Sequence, residues 1–150
     1  MAKMEQLRNI SNRIDILERC RRRYLNKHLS STGLKGHQFL MLLMILHEPG
    51  ISQEELSRRI DIDKTRIARS SIFLEESGYI ERRRDTADRR KYHLYLTAKG
   101  EELIPVIRST TADFGRIITA GMSDEQIGVL EEMIAVMLTN ARNNDEQERI

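Results

Sequence analysis

The apolar positions change period along the chain, and each change marks an element. From residue 5 to 30, Leu7, Ile10, Ile14, Leu17, Tyr24 and His28 recur near i, i+3, i+4, i+7, the stripe of an amphipathic helix. Ser30-Ser31-Thr32-Gly33 breaks that pattern. A second helix is predicted from about Lys35 to His47. Its run from Phe39 to Leu46 is apolar all round and belongs in a core, and Glu48-Pro49-Gly50 stops it. Ser52 then opens a short helix: its hydroxyl can accept from free N–H groups of the first turn. Glu55 can reach back to the Ser52 N–H, and Ile51 and Leu56 staple the entry. Leu56 and Ile60 share the inner face. Asp61-Ile62-Asp63 interrupts, with Asp63 as the cap of a further helix from about Lys64 to Ser77 and Ile62 and Ile67 as its staple. Ile67, Ser71 and Leu74 face inward, and Gly78 ends the helix.

The period then drops to two. Tyr92, Leu94 and Leu96 alternate with Lys91, His93 and Tyr95, which reads as a strand. Tyr79 to Arg83 is its partner, and the polar stretch Arg84 to Arg90 joins them. Thr97 caps a long helix from Ala98 to about Ala120, in which Pro105 lacks a donor and predicts a kink. After Gly121, Ser123-Asp124-Glu125-Gln126 reads as a capping box with Met122 and Ile127 as its staple. The last helix carries Ile127, Leu130, Met133, Ile134, Met137, Leu138 and Ala141, and residues beyond Asn143 are expected to fray. The predicted fold is mainly α with a small β-hairpin.

Two capped helices joined by a short turn and followed by a basic hairpin form a winged helix-turn-helix. The chemistry of this stretch is that of a DNA grip. Lys64, Thr65, Arg66, Arg69 and Ser70 are read as lying near the N-terminal end or on the outer side of the second helix. They are donors suited to guanine edges and phosphates. Arg84, Arg89 and Arg90 sit on the hairpin tip, from which arginines can enter a narrow minor groove.

Residues 29 to 100 resemble the MarR family of bacterial and archaeal winged-helix regulators. The resemblance rests on Asp63-Lys64-Thr65, on the helix exit Leu74-Glu75-Glu76-Ser77-Gly78-Tyr79-Ile80, and on Asp85-Thr86-Ala87-Asp88-Arg89-Arg90. Leu96-Thr97-Ala98-Lys99-Gly100 follows at the family's distance. The flanking helices match the family layout in order and length. The resemblance implies one domain over residues 1–150: a DNA-binding part at about 34–100, and helical dimerisation parts at about 5–30 and 101–143. It also implies a homodimer on an inverted-repeat operator, with Arg90 aimed into the minor groove and Asp88 holding an arginine in place. The chain departs from the pattern at Ile72 and Phe73, where the family usually carries charge, and at Ser70 and Ser71, where it usually carries aliphatics.

Composition narrows the alternatives. With 150 residues the chain can bury a real core, and a formal net charge of +2 is no bulk polycation. The charge is local: a basic hairpin from Arg82 to Lys91 against an acidic tail at Asp145-Glu146-Gln147-Glu148. One cysteine, Cys20, precludes an intrachain disulfide and fits a reducing cytoplasm. No early window reads as a signal peptide, and no apolar run is long enough for a membrane span. The apolar stripes at both ends of the chain exceed what one small domain can cover, which points to a subunit interface.

Neither a cofactor nor a metal is expected. His28, His37, His47 and His93 show no paired ligand spacing, and no motif of phosphate, zinc or nucleophile chemistry is present, so no enzyme is predicted. Tyr24, His28, Phe39, Met41, Met44 and Phe114 are candidates for lining a small-molecule effector pocket, with core packing as the competing reading. Cys20 sits among arginines that favour a thiolate. It lies closer to the second helix than the sensor cysteine of the family's peroxide-sensing branch, so that role does not transfer. The expected function is a cytoplasmic, sequence-specific regulator of double-stranded DNA, most simply a repressor. The alternatives are a winged-helix protein-interaction module and a thiol sensor acting through Cys20.

Overall fold

Ile51, Leu56, Ile67, Leu74, Ile80 and Leu94 are all essentially buried, and they come from every element of the helix-turn-helix and its hairpin. The apolar second helix supplies Phe39, Met41, Leu42 and Ile45 to the same cluster. A computed structural model describes residues 1–148. Its elements are α1 (Ala2–His28), α2 (His37–His47), β1 (Ile51–Ser52), α3 (Gln53–Arg59), α4 (Lys64–Glu76), β2 (Ile80–Arg84), β3 (Tyr92–Leu96), α5 (Ala98–Ile118) and α6 (Asp124–Glu148). A short 3₁₀ turn, Ser30–Thr32, follows α1. The strands form one antiparallel sheet in the order β1-β3-β2, with Ile51 opposite Leu94 and Ile80 opposite Leu96.

Local chemistry sets most boundaries. Glu55 N–H donates to Ser52 Oγ at 3.0 Å, and Arg66 N–H to Asp63 Oδ1 at 2.9 Å, so both helices of the helix-turn-helix start on side-chain caps. The reciprocal half of the first capping box is absent. The Glu55 carboxylate instead accepts from Arg58 and from Arg59 Nε, and Ser52 pairs as a strand residue with β3. The turn between α3 and α4 is held by buried Ser57, whose Oγ donates to Ile62 O at 2.5 Å while its carbonyl accepts from Ile62 N–H. Asp61 bends the turn at φ +51°, a conformation that Asp tolerates better than most residues.

The start of α5 is equally specified. Thr97 Oγ1 accepts from Gly100 N–H and donates to Gly78 O. A Cβ on Gly100 would lie 2.1 Å from Tyr79 O, so only glycine lets the helix approach the start of β2 this closely. The helix assignment continues through Pro105 to Ile118.

Met1–Phe114 form one compact unit and Gly115–Ile150 a second, with the division inside α5. In the second unit, Ser123 and Gln126 make the full reciprocal box: Gln126 N–H donates to Ser123 Oγ, and Ser123 N–H to Gln126 Oε1. α6 runs past Asn143 to Glu148, and residues 149 and 150, part of the stretch expected to fray, lie outside the described residues. Ile10, Ile14 and Leu17 on α1, and Met133, Ile134 and Leu138 on α6, are exposed in the single chain. No described helix is long and apolar enough to cross a membrane.

Gly100→Ala should destabilise the chain at or above the top of the usual overpacking range of about 1–3 kcal/mol, because the obstacle is a backbone carbonyl. Denaturant unfolding with an unchanged m-value measures it. A loss below about 1 kcal/mol would show that the approach relaxes freely.

Candidate nucleic-acid interface

Burial on α4 separates its two sides. Ile67, Ser71 and Leu74 face the core, and Ser71 Oγ satisfies itself on Ile67 O. Lys64, Thr65, Arg66 and Arg69 are exposed near the helix N-terminus or on the opposite side. Lys64 Nζ is 2.7 Å from Glu54 Oε1 and links α4 to α3 at the surface. Among the described residues no ion pair occupies Arg66, Arg69 or Arg89.

Ser70 corrects the expectation. It is only 6% exposed, and its Oγ lies 2.6 Å from His37 Nε2 on α2. Its i+3 spacing from Ile67 puts it on the inner side of the helix, away from any DNA on the outer one. Burial, and then the charge of Arg66, push the His37 pKa down, which favours a neutral ring facing the serine hydroxyl.

The hairpin of β2 and β3 carries the second set of cations, and much of it is internally committed. Arg82 Nε donates to Glu75 Oε2 at 2.7 Å, tying the wing to α4, and its guanidinium lies 4.7 Å from the Tyr92 ring centre. Arg83 pairs with Glu81 and lies 4.2 Å from the Tyr95 ring centre. Arg84 Nε donates to Tyr92 Oη at 3.1 Å, while the residue stays exposed. Beyond the strands, Asp85 Oδ1 accepts from the N–H groups of Ala87 and Asp88, both at 2.8 Å. Asp88 Oδ1 then accepts from Arg90 N–H and from Arg90 Nε at 3.2 Å. Asp88 therefore steers Arg90, whose side chain is 92% exposed. A groove of about 230 Å³ runs between α4 and the wing, lined by Lys64 and Ala68 on one side and Arg90, Lys91 and Tyr92 on the other.

Comparison with known proteins places this arrangement. The MarR family model matches residues 34–92. The crystal structure of a MarR transcriptional regulator from Methanosarcina mazei Go1 superposes with a TM-score of 0.87 at 32% identity, over 91% of this chain and 98% of that one. The chain belongs to the MarR family. An uncharacterized HTH-type transcriptional regulator of Bacillus subtilis, YybA, is 28% identical over 142 residues, 95% of this chain and 92% of its own. A mutant MarR from E. coli complexed with operator DNA shares the fold, with a TM-score of 0.76 at 22% identity over 89% of this chain and 96% of that one. The protein is thus a DNA-binding transcriptional regulator with the winged-helix architecture of its family.

Of the residues expected around an effector, Tyr24, His28 and Phe114 lie together, and Phe39 and Met41 belong to the core cluster. Tyr24 and His28 stack with ring centres 3.9 Å apart, and Tyr24 lies 5.4 Å from Phe114. Met41 is fully buried and Phe39 nearly so, both in the core cluster, which is the packing role. A different cleft, about 290 Å³, opens between α1, α2 and the start of α4. It is lined by Arg21, Arg22, His37 and Arg66 with Phe39 and Leu40 among its apolar members. Of the six residues proposed for the pocket, Phe39 alone contributes there. Cys20 is half-buried, and Arg23 donates to its Sγ at 3.4 Å.

The structure also brings out residues that the sequence pattern did not single out. Glu75 anchors Arg82, and Tyr92 and Tyr95 carry the wing arginines on their faces. His93 sits between Asp85 and Gly50. The strand register places Arg83 opposite His93 and Arg84, read from the sequence as part of the joining stretch, opposite Tyr92 on β3.

Ser70→Ala should cost about 1 kcal/mol of stability through the lost bond to His37, while DNA affinity stays within about twofold. Parallel unfolding and DNA-binding titrations check it. A large affinity loss with unchanged stability would return Ser70 to the DNA side.

Proposed function

We propose that the protein is a homodimeric repressor that binds an inverted-repeat operator and is released by a small-molecule effector. The observation that carries the reading is a groove with Lys64 of α4 on one side and Arg90 and Lys91 of the wing on the other, with further exposed arginines on both elements. Arg66 and Arg69 stand on the exposed part of α4, and Arg89 and Arg90 stand at the wing tip. The α4 helices of a dimer would enter successive major grooves about 34 Å apart, with the wings in the flanking minor grooves. Arg66, Arg69 and Lys64 would supply base and phosphate donors, and Thr65 a shorter polar contact. A bound dimer covering a promoter would exclude polymerase, which is the simplest route to repression.

The apolar residues left exposed on α1 and α6 support the dimer, because large contiguous apolar surface is rare on a monomer. The cationic cleft beside His37 is the better effector site than the Tyr24–Phe114 cluster. It is open, lies at the lower edge of ligand-pocket sizes, and has Arg66 of the DNA-reading helix in its wall. An effector bound there would shift the equilibrium only by preferring one spacing of the two reading heads.

The test is a salt titration on a duplex selected by the protein from a randomised library, against a scrambled duplex of equal length. Selective binding with a steep salt slope is expected. Arg90→Ala should weaken binding and lower the salt slope by about one for each wing. Unchanged affinity and slope would remove Arg90 from the interface. For the dimer, Ile134→Asp should shift sedimentation toward the monomer mass and weaken DNA binding with it. A dimer that sediments as before would take α6 out of the interface.

A further inference from the structure

His93 on β3 stands between two acceptors. Its Nδ1 is 2.8 Å from Gly50 O and its Nε2 is 2.7 Å from Asp85 Oδ2. A carbonyl oxygen only accepts. Asp85 also acts as an acceptor, because the histidine and then the N–H groups of Asp88 and Ala87 hold its carboxyl down at about 2. A neutral imidazole has a single N–H and would leave one nitrogen lone pair facing an oxygen, whereas the imidazolium donates at both ends. The contacts continue outward. The second oxygen of Asp85 orders Ala87 and Asp88, and Asp88 orders Arg90. The turn before β1, the strand β3 and the wing tip are therefore joined through one ring.

We propose that His93 is a positioning residue for the wing: as an imidazolium it ties the wing loop to the Gly50 turn, and DNA binding weakens when it gives up that proton. The second half of this statement rests on the reading of the wing as a DNA contact.

The surroundings fix the direction of the effect. Asp85 from the wing loop faces the ring and favours its charge, and Lys91 on the same strand opposes it. Across the sheet, β2 presents Arg83, whose guanidinium is taken up by Glu81 and the Tyr95 ring, and β1 presents Ser52. The acids at or beside the helices packed on β3 are committed elsewhere: Glu48 to Arg59, Glu54 to Lys64, and Glu55 to Arg58 and Arg59. Asp85 and the Gly50 carbonyl thus raise the histidine above its ordinary 6.5. A raised histidine contributes fully below 6.5, and its contribution is lost as pH rises through the raised value. Asp85 contributes above its ordinary 3.8, and its side is lost as pH falls toward about 2. The tie is whole between those limits and opens on its upper side as pH rises through the raised histidine value.

Two measurements test it. The first is NMR of the wild-type protein without DNA, from about pH 5.5 to about pH 9, which brackets histidine titration. His93 should titrate above 6.5, with the Ala87 and Asp88 amide resonances moving at the same midpoint. Asp85→Asn should lower that midpoint. The second is affinity for the library-selected duplex at fixed salt over the same range, for wild type and His93→Gln. Wild type should lose at least about fivefold across the His93 midpoint beyond any loss in the variant, the low end of ordinary coupling between sites. A midpoint at or below 6.5, wing amides that stay still through it, or parallel pH profiles for the two proteins would each overturn the proposal. A wild type that binds no duplex at any pH would sink the DNA reading and the second half of the proposal with it. The wild-type NMR titration would still decide the tie, and it depends on no variant.

Discussion

Everything the molecule presents to DNA depends on how α4 is buried. Ile67, Ser71 and Leu74 have essentially no exposed surface, so the helix cannot rotate without uncovering them. Burying a side chain of Ile or Leu size contributes about 1.5–3 kcal/mol, which outweighs any single surface contact on the opposite side. That asymmetry fixes which side of the helix is free. Arg66 and Arg69 are exposed because their neighbours on the helix are not. The caps at Ser52 and Asp63 set where each helix begins, and Ser57 sets the angle between them by bonding both ways to Ile62.

The wing solves a different problem. A two-stranded ribbon with a run of arginines has no core of its own and repels itself. Here Arg82 is bound to Glu75 of α4, Arg83 to Glu81, and the rings of Tyr92 and Tyr95 accept the guanidinium faces. Cation–π contacts of this kind are worth about 0.5–1 kcal/mol each at exposed sites, which suffices to order a short hairpin docked on a helix. The strand arginines therefore act mainly as scaffold, and the turn beyond them carries the cations left for a partner. The third strand, β1, closes the ribbon's inner edge and brings the Gly50 carbonyl within reach of His93.

What the sequence revealed divides by range. The caps at Ser52, Asp63 and Ser123 and the start of α5 at Thr97 were legible because each involves residues three apart, where backbone geometry alone decides the contact. The hairpin was legible from the alternation of its second strand. The strand at Ile51–Ser52 was not, because two residues carry no period and their pairing with Leu94 and His93 spans some forty positions. Ser70 was misplaced for a related reason. Its spacing from Ile67 and Leu74 puts it inside, yet a hydroxyl reads as a surface group until His37, thirty-three residues away, is seen to satisfy it. The pocket residues were sought by side-chain type, and type does not separate an aromatic packed in a core from one lining a cleft. Met41 belongs to the first kind, and the open cleft sets Arg21, Arg22 and Arg66, which type alone would assign to solvent, beside apolar side chains.

The strength of the wing-tip contact also follows from its exposure. The pair between Asp88 and Arg90 lies at the surface, with the arginine side chain 92% and the aspartate 34% exposed. Exposed ion pairs contribute about 0–1 kcal/mol, so holding Arg90 this way barely stabilises the fold. It does limit the directions the side chain explores, since Asp88 bonds both the backbone N–H and Nε of the same residue. In the proposed complex, a phosphate or a narrow groove would displace the carboxylate at little cost while inheriting an arginine whose directions are already limited. A stronger, buried pair would order the side chain further but would have to be broken before DNA could be gripped, at about 3–5 kcal/mol. With a net charge of only +2, the chain has little general attraction for nucleic acid to offset such a loss, and a weak, exposed restraint is the arrangement its electrostatics allow.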